Sequence, residues 1–123
     1  MNLLEIDHEK GIAKGFSIGA YLLMVLAGNL KFKKIILISP TPLVNDKIYE
    51  LGEIEKLIDI KKSDYSIKEL CERIDCEVEV YIGENEVDLM KETALEISLV
   101  LGVPLNVIKN ADHSDILDKM TND

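Results

Sequence analysis

The chain has 123 residues, a length that fits one domain whose core buries roughly two-thirds of the unfolded surface. Hydrophobic residues make up 47% and charged residues 30%, a globular and not a disordered composition. A formal net charge of −9 argues against nucleic acid and anionic membrane surfaces as partners, because both demand basic surface.

Residues 1–5 lack the basic start and apolar core of a signal peptide, and the longest apolar stretch, residues 20–27, is too short to span a bilayer. The two cysteines, Cys71 and Cys76, have no second pair and no histidine nearby. That spacing fits neither a zinc site nor a disulfide framework, so free thiols in a reducing, cytoplasmic compartment are expected. No repeat, low-complexity tract or linker divides the chain, and residues 1–123 are expected to form a single domain.

Residues 12–16 read as a short strand fed by the polar turn at 7–11. Ser17-Ile18-Gly19 turns the chain into a helix expected over 19–30, apolar nearly all round and therefore buried on most faces. Residues 34–39 form a continuous β-branched run ended by Pro40 and Pro42, suited to a strand covered on both faces. Two weaker helices are expected at 47–58 and 66–74; Ser66 can cap the second, with Glu69 completing a capping box. Residues 77–82 alternate as a strand ending in Gly83. Val87, Met90, Ala94, Ile97 and Leu101 mark one helix face that Gly102 stops. A last strand at 104–108 leads through Ala111-Asp112-His113-Ser114-Asp115 into a short terminal helix. The expected fold class is α/β: a three-layer sandwich around a short, mainly parallel sheet of about four strands, joined by right-handed crossovers.

In such a sheet, chemistry gathers at the carboxyl ends of the strands, and three polar constellations fall there. Gly15-Phe16-Ser17-Ile18-Gly19 is a G-x-S-x-G at a strand-to-helix turn. Its glycines permit a turn too tight for a Cβ, which leaves Ser17 exposed and the amide of Ile18 aimed at a developing oxyanion. The alternative is a turn whose serine merely caps the helix. Gly83-Glu84-Asn85-Glu86-Val87-Asp88 follows the third strand. A serine nucleophile needs a histidine base, and the histidine needs a carboxylate; Glu84, Glu86 and Asp88 are all available, unless they only decorate a helix N-terminus. His113 follows the last strand, where a base for Ser17 has to come from, and Asp112 and Asp115 compete as its partner.

These residues resemble the C-terminal half of the α/β-hydrolase fold. Gly15-Phe16-Ser17-Ile18-Gly19-Ala20 is similar to the nucleophile elbow of dienelactone hydrolase-like and carboxylesterase-like members. Gly83-Glu84-Asn85-Glu86 is similar to the family's acid turn, and Ala111-Asp112-His113-Ser114 to its histidine loop, in the family's chain order. The resemblance implies Ser17 as nucleophile, His113 as general base, Glu86 as orienting acid with Asp88 as the alternative, and Ile18 N–H as oxyanion donor. It also implies little or no lid, and it places Ser39, Thr41 and Tyr49 where members hold substrate-contacting residues.

A complete member carries four more strands before the elbow, together with the loop that supplies the second oxyanion amide. On that comparison the strand at 12–16 becomes an edge beside an apolar helix, and a homodimer or heteromeric partner is expected along it unless the N-terminal residues fold back. The function expected is that of a minimal serine hydrolase of esterase or thioesterase type. Its partner is a small-molecule ester or thioester, and it needs no metal or organic cofactor. The competing expectation is a non-catalytic scaffold or subunit derived from that fold. A nucleotide-binding domain has little support, since neither G-x-G-x-x-G nor a P-loop occurs.

Overall fold

A computed structural model describes residues 3–41 and 66–121. The expected helix at 47–58, and Tyr49 with it, lies outside the described residues.

Among the described residues nine elements follow in chain order: β1 (Leu4–Asp7), β2 (Ile12–Phe16), α1 (Ile18–Ala27), β3 (Lys34–Ile38), α2 (Ile67–Glu72), β4 (Glu77–Gly83), α3 (Asp88–Leu101), β5 (Leu105–Ile108) and α4 (Ile116–Thr121). The sheet order is β1-β2-β3-β4-β5, with β2 to β5 parallel and β1 antiparallel to β2.

β2 is not an edge strand, which corrects the expectation of a free backbone along residues 12–16. The N-terminal residues fold back on it in the register Leu4↔Gly15 to Asp7↔Ile12. The intervening turn closes through Gly11 N–H donating to the Asp7 carbonyl (2.9 Å) and Lys10 N–H to Asp7 Oδ1 (3.1 Å). Gly11, at φ 70°, supplies the left-handed residue that this turn requires. Leu4 and Ile6 alternate inward against exposed Glu5 and Asp7, so the strand buries one face while its backbone pairs with β2. Among the described residues the sheet thus has five strands where about four were expected, and it is the N-terminal residues that cover the outer side of β2.

Because side chains alternate along a strand, the sheet has two distinct faces. One face presents Ala13, Ile35, Leu37, Val78, Val80 and Ile82 to α1, α2 and α3, and these form the main core. The apolar helix α1 buries Gly19, Ala20, Tyr21, Leu23, Met24 and Ala27, as its lack of a polar face predicts. It ends three residues short of the expected 30, because Gly28 N–H bonds Val25 and Asn29 N–H bonds Leu26 in turn geometry. Ser66 caps α2 by accepting from Glu69 N–H at 3.1 Å, as its spacing predicts. Gly102 closes α3 at φ 69°.

The opposite face is covered by the short helix α4, which packs Ile116, Leu117 and Met120 on Phe16, Ile36, Ile38, Tyr81 and Ile108. The rest of that face is polar: Lys34 pairs with Glu79, which accepts from Tyr81 OH at 2.7 Å, and Asn106 bonds the Val80 carbonyl. No described helix is long and apolar enough to cross a membrane.

Candidate active site

Each polar constellation follows a different parallel strand, so all of them meet at one end of the sheet. Ser17 stands between β2 and α1 at φ 59°, ψ −119°, a conformation that non-glycine residues adopt at a cost of about 1–3 kcal/mol. It holds that shape because its N–H donates to the Ile38 carbonyl of β3 (2.9 Å) while its carbonyl accepts from Ala20 and Thr41. Both flanking glycines are required by close approach. A Cβ on Gly15 would lie 2.5 Å from the Gly19 carbonyl oxygen, and one on Gly19 would overlap the Leu3 carbonyl beside β1.

Ser17 occupies the N-cap position of α1 yet makes no side-chain cap bond. Its Oγ lies instead 3.0 Å from His113 Nε2 and 3.1 Å from Thr41 Oγ1. The reading of Ser17 as a mere cap is therefore not what the structure contains.

Glu86 is the carboxylate that reaches the histidine: its Oε1 lies 2.8 Å from His113 Nδ1. Its other oxygen, Oε2, accepts from Ser39 Oγ and from Gly83 N–H, both at 2.6 Å. The side chain is fully buried. Burial by itself pushes the carboxyl upward, but the hydrogen bonds from His113, Ser39 and Gly83 outweigh it and hold Glu86 below the ordinary carboxylate range. The selection of Glu86 over its neighbours is made by backbone: Glu86 N–H returns to the Gly83 carbonyl, folding its side chain inward. Asp88 starts α3 and is exposed, and Glu84 Oε1 accepts from Asn110 N–H.

The acid and histidine loops are tied together by Asn85 N–H to the Ala111 carbonyl (2.8 Å) and Glu84 N–H to Ile108 (3.0 Å). Asp112 and Asp115 are spent on the histidine loop itself. Asp112 Oδ1 accepts from Ser114 N–H, Ser114 Oγ and Asp115 N–H, and Asp115 Oδ1 accepts from Asp112 N–H. The Phe16 ring stacks on the imidazole at 5.0 Å between centroids, fixing the plane that faces Ser17.

These residues border an open cavity of about 540 Å³, within the range that holds small ligands. Ile18, Val87 and Met90 supply apolar walls, and Thr41, Asn85, Asp112 and Ser114 supply polar rim. Ile18 is the first residue of α1, so its N–H has no partner within the helix. Among the described residues, no group of three or more His, Cys, Asp or Glu side chains is placed to hold a metal ion. The sequence placed Ser39 and Thr41 only among positions that contact substrate in the family it resembles, without the partners found here, and gave no sign of Phe16. The sequence position after β3 was the one signal for the first two, and only the fold brings Phe16 under the imidazole.

Chemically, the arrangement is a hydroxyl next to an imidazole next to a buried carboxylate, beside a cavity open to solvent. Neither the protein-family models nor the curated proteins contain a match to this chain. Among solved structures, the chain is similar to dipeptidyl peptidase 4 of Porphyromonas gingivalis, with a TM-score of 0.56 at 15% identity. The likeness covers 89% of this chain but 18% of the peptidase, so the chain spans less than a fifth of that protein's length. At that identity the likeness concerns the fold alone, and the fold of this chain is a small α/β fold built on a mixed sheet.

Proposed function

We propose that the chain is a serine hydrolase of esterase or thioesterase type acting on a small acyl ester. The observation that carries this reading is the unbroken run from Ser17 Oγ through the His113 ring to Glu86, 3.0 Å and 2.8 Å long at its two links. Glu86, ionised, can only accept, so His113 holds its proton on Nδ1 and offers the Nε2 lone pair to Ser17. Ser17 Oγ attacks the acyl carbonyl as its proton passes to Nε2. The carbonyl pair moves onto oxygen, facing the Ile18 N–H at the start of α1. As the intermediate collapses, Nε2 returns the proton to the leaving alcohol or thiol. Water then repeats the sequence on the acyl-serine and frees the acid.

Glu86 steadies the imidazolium while charged, and its own three hydrogen bonds keep it ionised. The apolar walls at Ile18, Val87 and Met90 suit the alkyl part of an acyl group. The setting that goes with this reading is the reducing cytoplasm, in which Cys71, buried and with its thiol pushed up to about 12, and Cys76 stay reduced.

The test is labelling of the purified chain with a fluorophosphonate, which forms a stable adduct with an activated serine. The expected result is an adduct at Ser17, abolished in Ser17→Ala and reduced by about 10⁴-fold in rate in His113→Ala. A folded sample that takes no label would favour the competing reading, a non-catalytic scaffold with a hydrolase-like fold.

A further inference from the structure

Hydrolysis at Ser17 calls for two donors to the oxyanion, and the described backbone offers the Ile18 amide. The loss of one such donor costs about 10²- to 10³-fold in rate, so the source of a second matters. A hydroxyl already stands beside Ser17 Oγ, that of Thr41.

The proton positions follow in sequence from the carboxylate. Glu86 accepts, His113 Nδ1 donates to it, and in the neutral imidazole Nε2 accepts. Ser17 Oγ–H therefore donates to Nε2, and its single proton is used. In the 3.1 Å contact between Ser17 Oγ and Thr41 Oγ1, Ser17 is left as the acceptor, and Thr41 must be the donor. The Thr41 O–H thus points at the nucleophilic oxygen from a position on the wall of the same cavity.

Thr41 is also held in place. Its backbone N–H donates to the Ser17 carbonyl at 3.3 Å, which fixes the residue against the elbow and rules out that amide as the oxyanion donor. Pro40 before it is fully buried, Ser39 is pinned by Glu86, and the following proline in the sequence restricts Thr41 to extended backbone.

Resting on the hydrolase reading above, we propose that the Thr41 hydroxyl is the second oxyanion donor of this site. When Ser17 Oγ bonds to the acyl carbon, its proton goes to His113 Nε2 and the carbonyl π pair becomes an oxyanion on that same carbon. Ser17 Oγ becomes an ether-like oxygen and a weak acceptor, while the oxygen beside it gains full charge. A hydrogen bond to an ionised acceptor is about twice as strong as a neutral one, so the Thr41 O–H turns from Oγ to the oxyanion as it forms. The interaction strengthens between ground state and transition state, which is the condition for raising kcat. On collapse the pair returns to the carbonyl, the leaving group takes the Nε2 proton, and Thr41 turns back.

The experiment compares the full chain with Thr41→Val, which keeps the shape and removes the hydroxyl, and Thr41→Ser, which keeps the hydroxyl. Hydrolysis of p-nitrophenyl butyrate and inhibition by an alkyl trifluoromethyl ketone, whose adduct carries the oxyanion, are measured on folded protein. Thr41→Val is expected to lower kcat by about 10²- to 10³-fold and weaken the ketone in parallel, with KM changed less than about threefold. Thr41→Ser should recover most of both. A Thr41→Val protein within about threefold of wild type in kcat, or one altered in KM alone, overturns the proposal and leaves Thr41 as cavity wall. A wild-type chain that neither hydrolyses the ester, nor binds the ketone, nor takes the fluorophosphonate overturns the hydrolase reading, and the role of Thr41 falls with it.

Discussion

Ser39 Oγ donates to Glu86 Oε2 at 2.6 Å across a fully buried contact between residues 47 apart in the chain. Ser39 stands at φ 47°, in the left-handed region, and its N–H is tied to the Tyr81 carbonyl of β4. The backbone of β3 is thus bent so that this hydroxyl meets the carboxylate that orients His113. Ser39→Ala should leave a buried carboxylate oxygen one donor short, at a cost of about 1–3 kcal/mol in stability. On the hydrolase reading, Ser39, fully buried and outside the cavity lining, acts through Glu86, so kcat should fall while KM stays put. The checks are a urea unfolding midpoint and steady-state rates measured on the same preparation.

The depressed carboxyl of Glu86 makes part of the stability depend on pH, with a defined sign. Its native pKa is below the ordinary carboxylate value of about 4.3, so the native state holds the ionised form more strongly than the unfolded chain does. That contribution is fully present above the ordinary value and is lost as pH falls through the lowered native one. Glu86→Gln, which cannot ionise, should be less stable than wild type at pH 7 and should lose less on acidification toward pH 3. Ser39→Ala removes one of the bonds that depress the carboxyl, so its acid-side loss should be smaller than that of wild type and should be complete at a higher pH. Urea midpoints taken from pH 7 to pH 3 on the three proteins separate these outcomes.

The parallel core was legible because the strands from Ile12–Phe16 onward are short apolar or alternating runs between turn residues, with Ser66 and Gly102 marking the start of α2 and the end of α3. The residues of the candidate site were legible for a different reason: chemistry in a parallel sheet collects at strand ends, and Ser17, Glu86 and His113 each follow one. β1 was missed although Leu4-Glu5-Ile6-Asp7 alternates in strand fashion. Four residues of alternation become a strand only when β2 offers a backbone to pair with, and sequence alone does not reveal that offer. Ser39 and Thr41 were hard to assign because their roles depend on where β3 ends relative to Glu86 and Ser17, a relation set by the sheet register and not by local pattern.

With β1 in place, the outer backbone of β2 is satisfied and Leu4 and Ile6 pack against the main core. Deleting residues 1–7 should expose that edge together with the apolar surface beneath it. The expected result is a shift toward dimers and larger species in sedimentation velocity at micromolar concentration, with a lowered unfolding midpoint. A truncated chain that sediments like the full chain would show that β1 does not protect this edge.

Gly19 ties the candidate site to β1, because the Leu3 carbonyl lies over it while accepting from Phe16 N–H at 2.8 Å. A Cβ at position 19 would overlap that carbonyl, and backbone on a paired strand does not yield as the tip of a side chain does. Gly19→Ala gains helix propensity of about 1 kcal/mol in the first turn of α1, but the forced shift opposes it at about 1–3 kcal/mol or more. The collision should prevail, so the variant should be less stable than wild type in spite of the better helix former. Removing residues 1–7 removes the obstructing carbonyl and leaves the propensity gain, so in the shortened chain the same substitution should become neutral or stabilising. Urea midpoints for the four proteins of that cycle measure the coupling directly. Equal effects of Gly19→Ala in the full and shortened chains would mean that the glycine is required by the turn at Ser17 and not by β1.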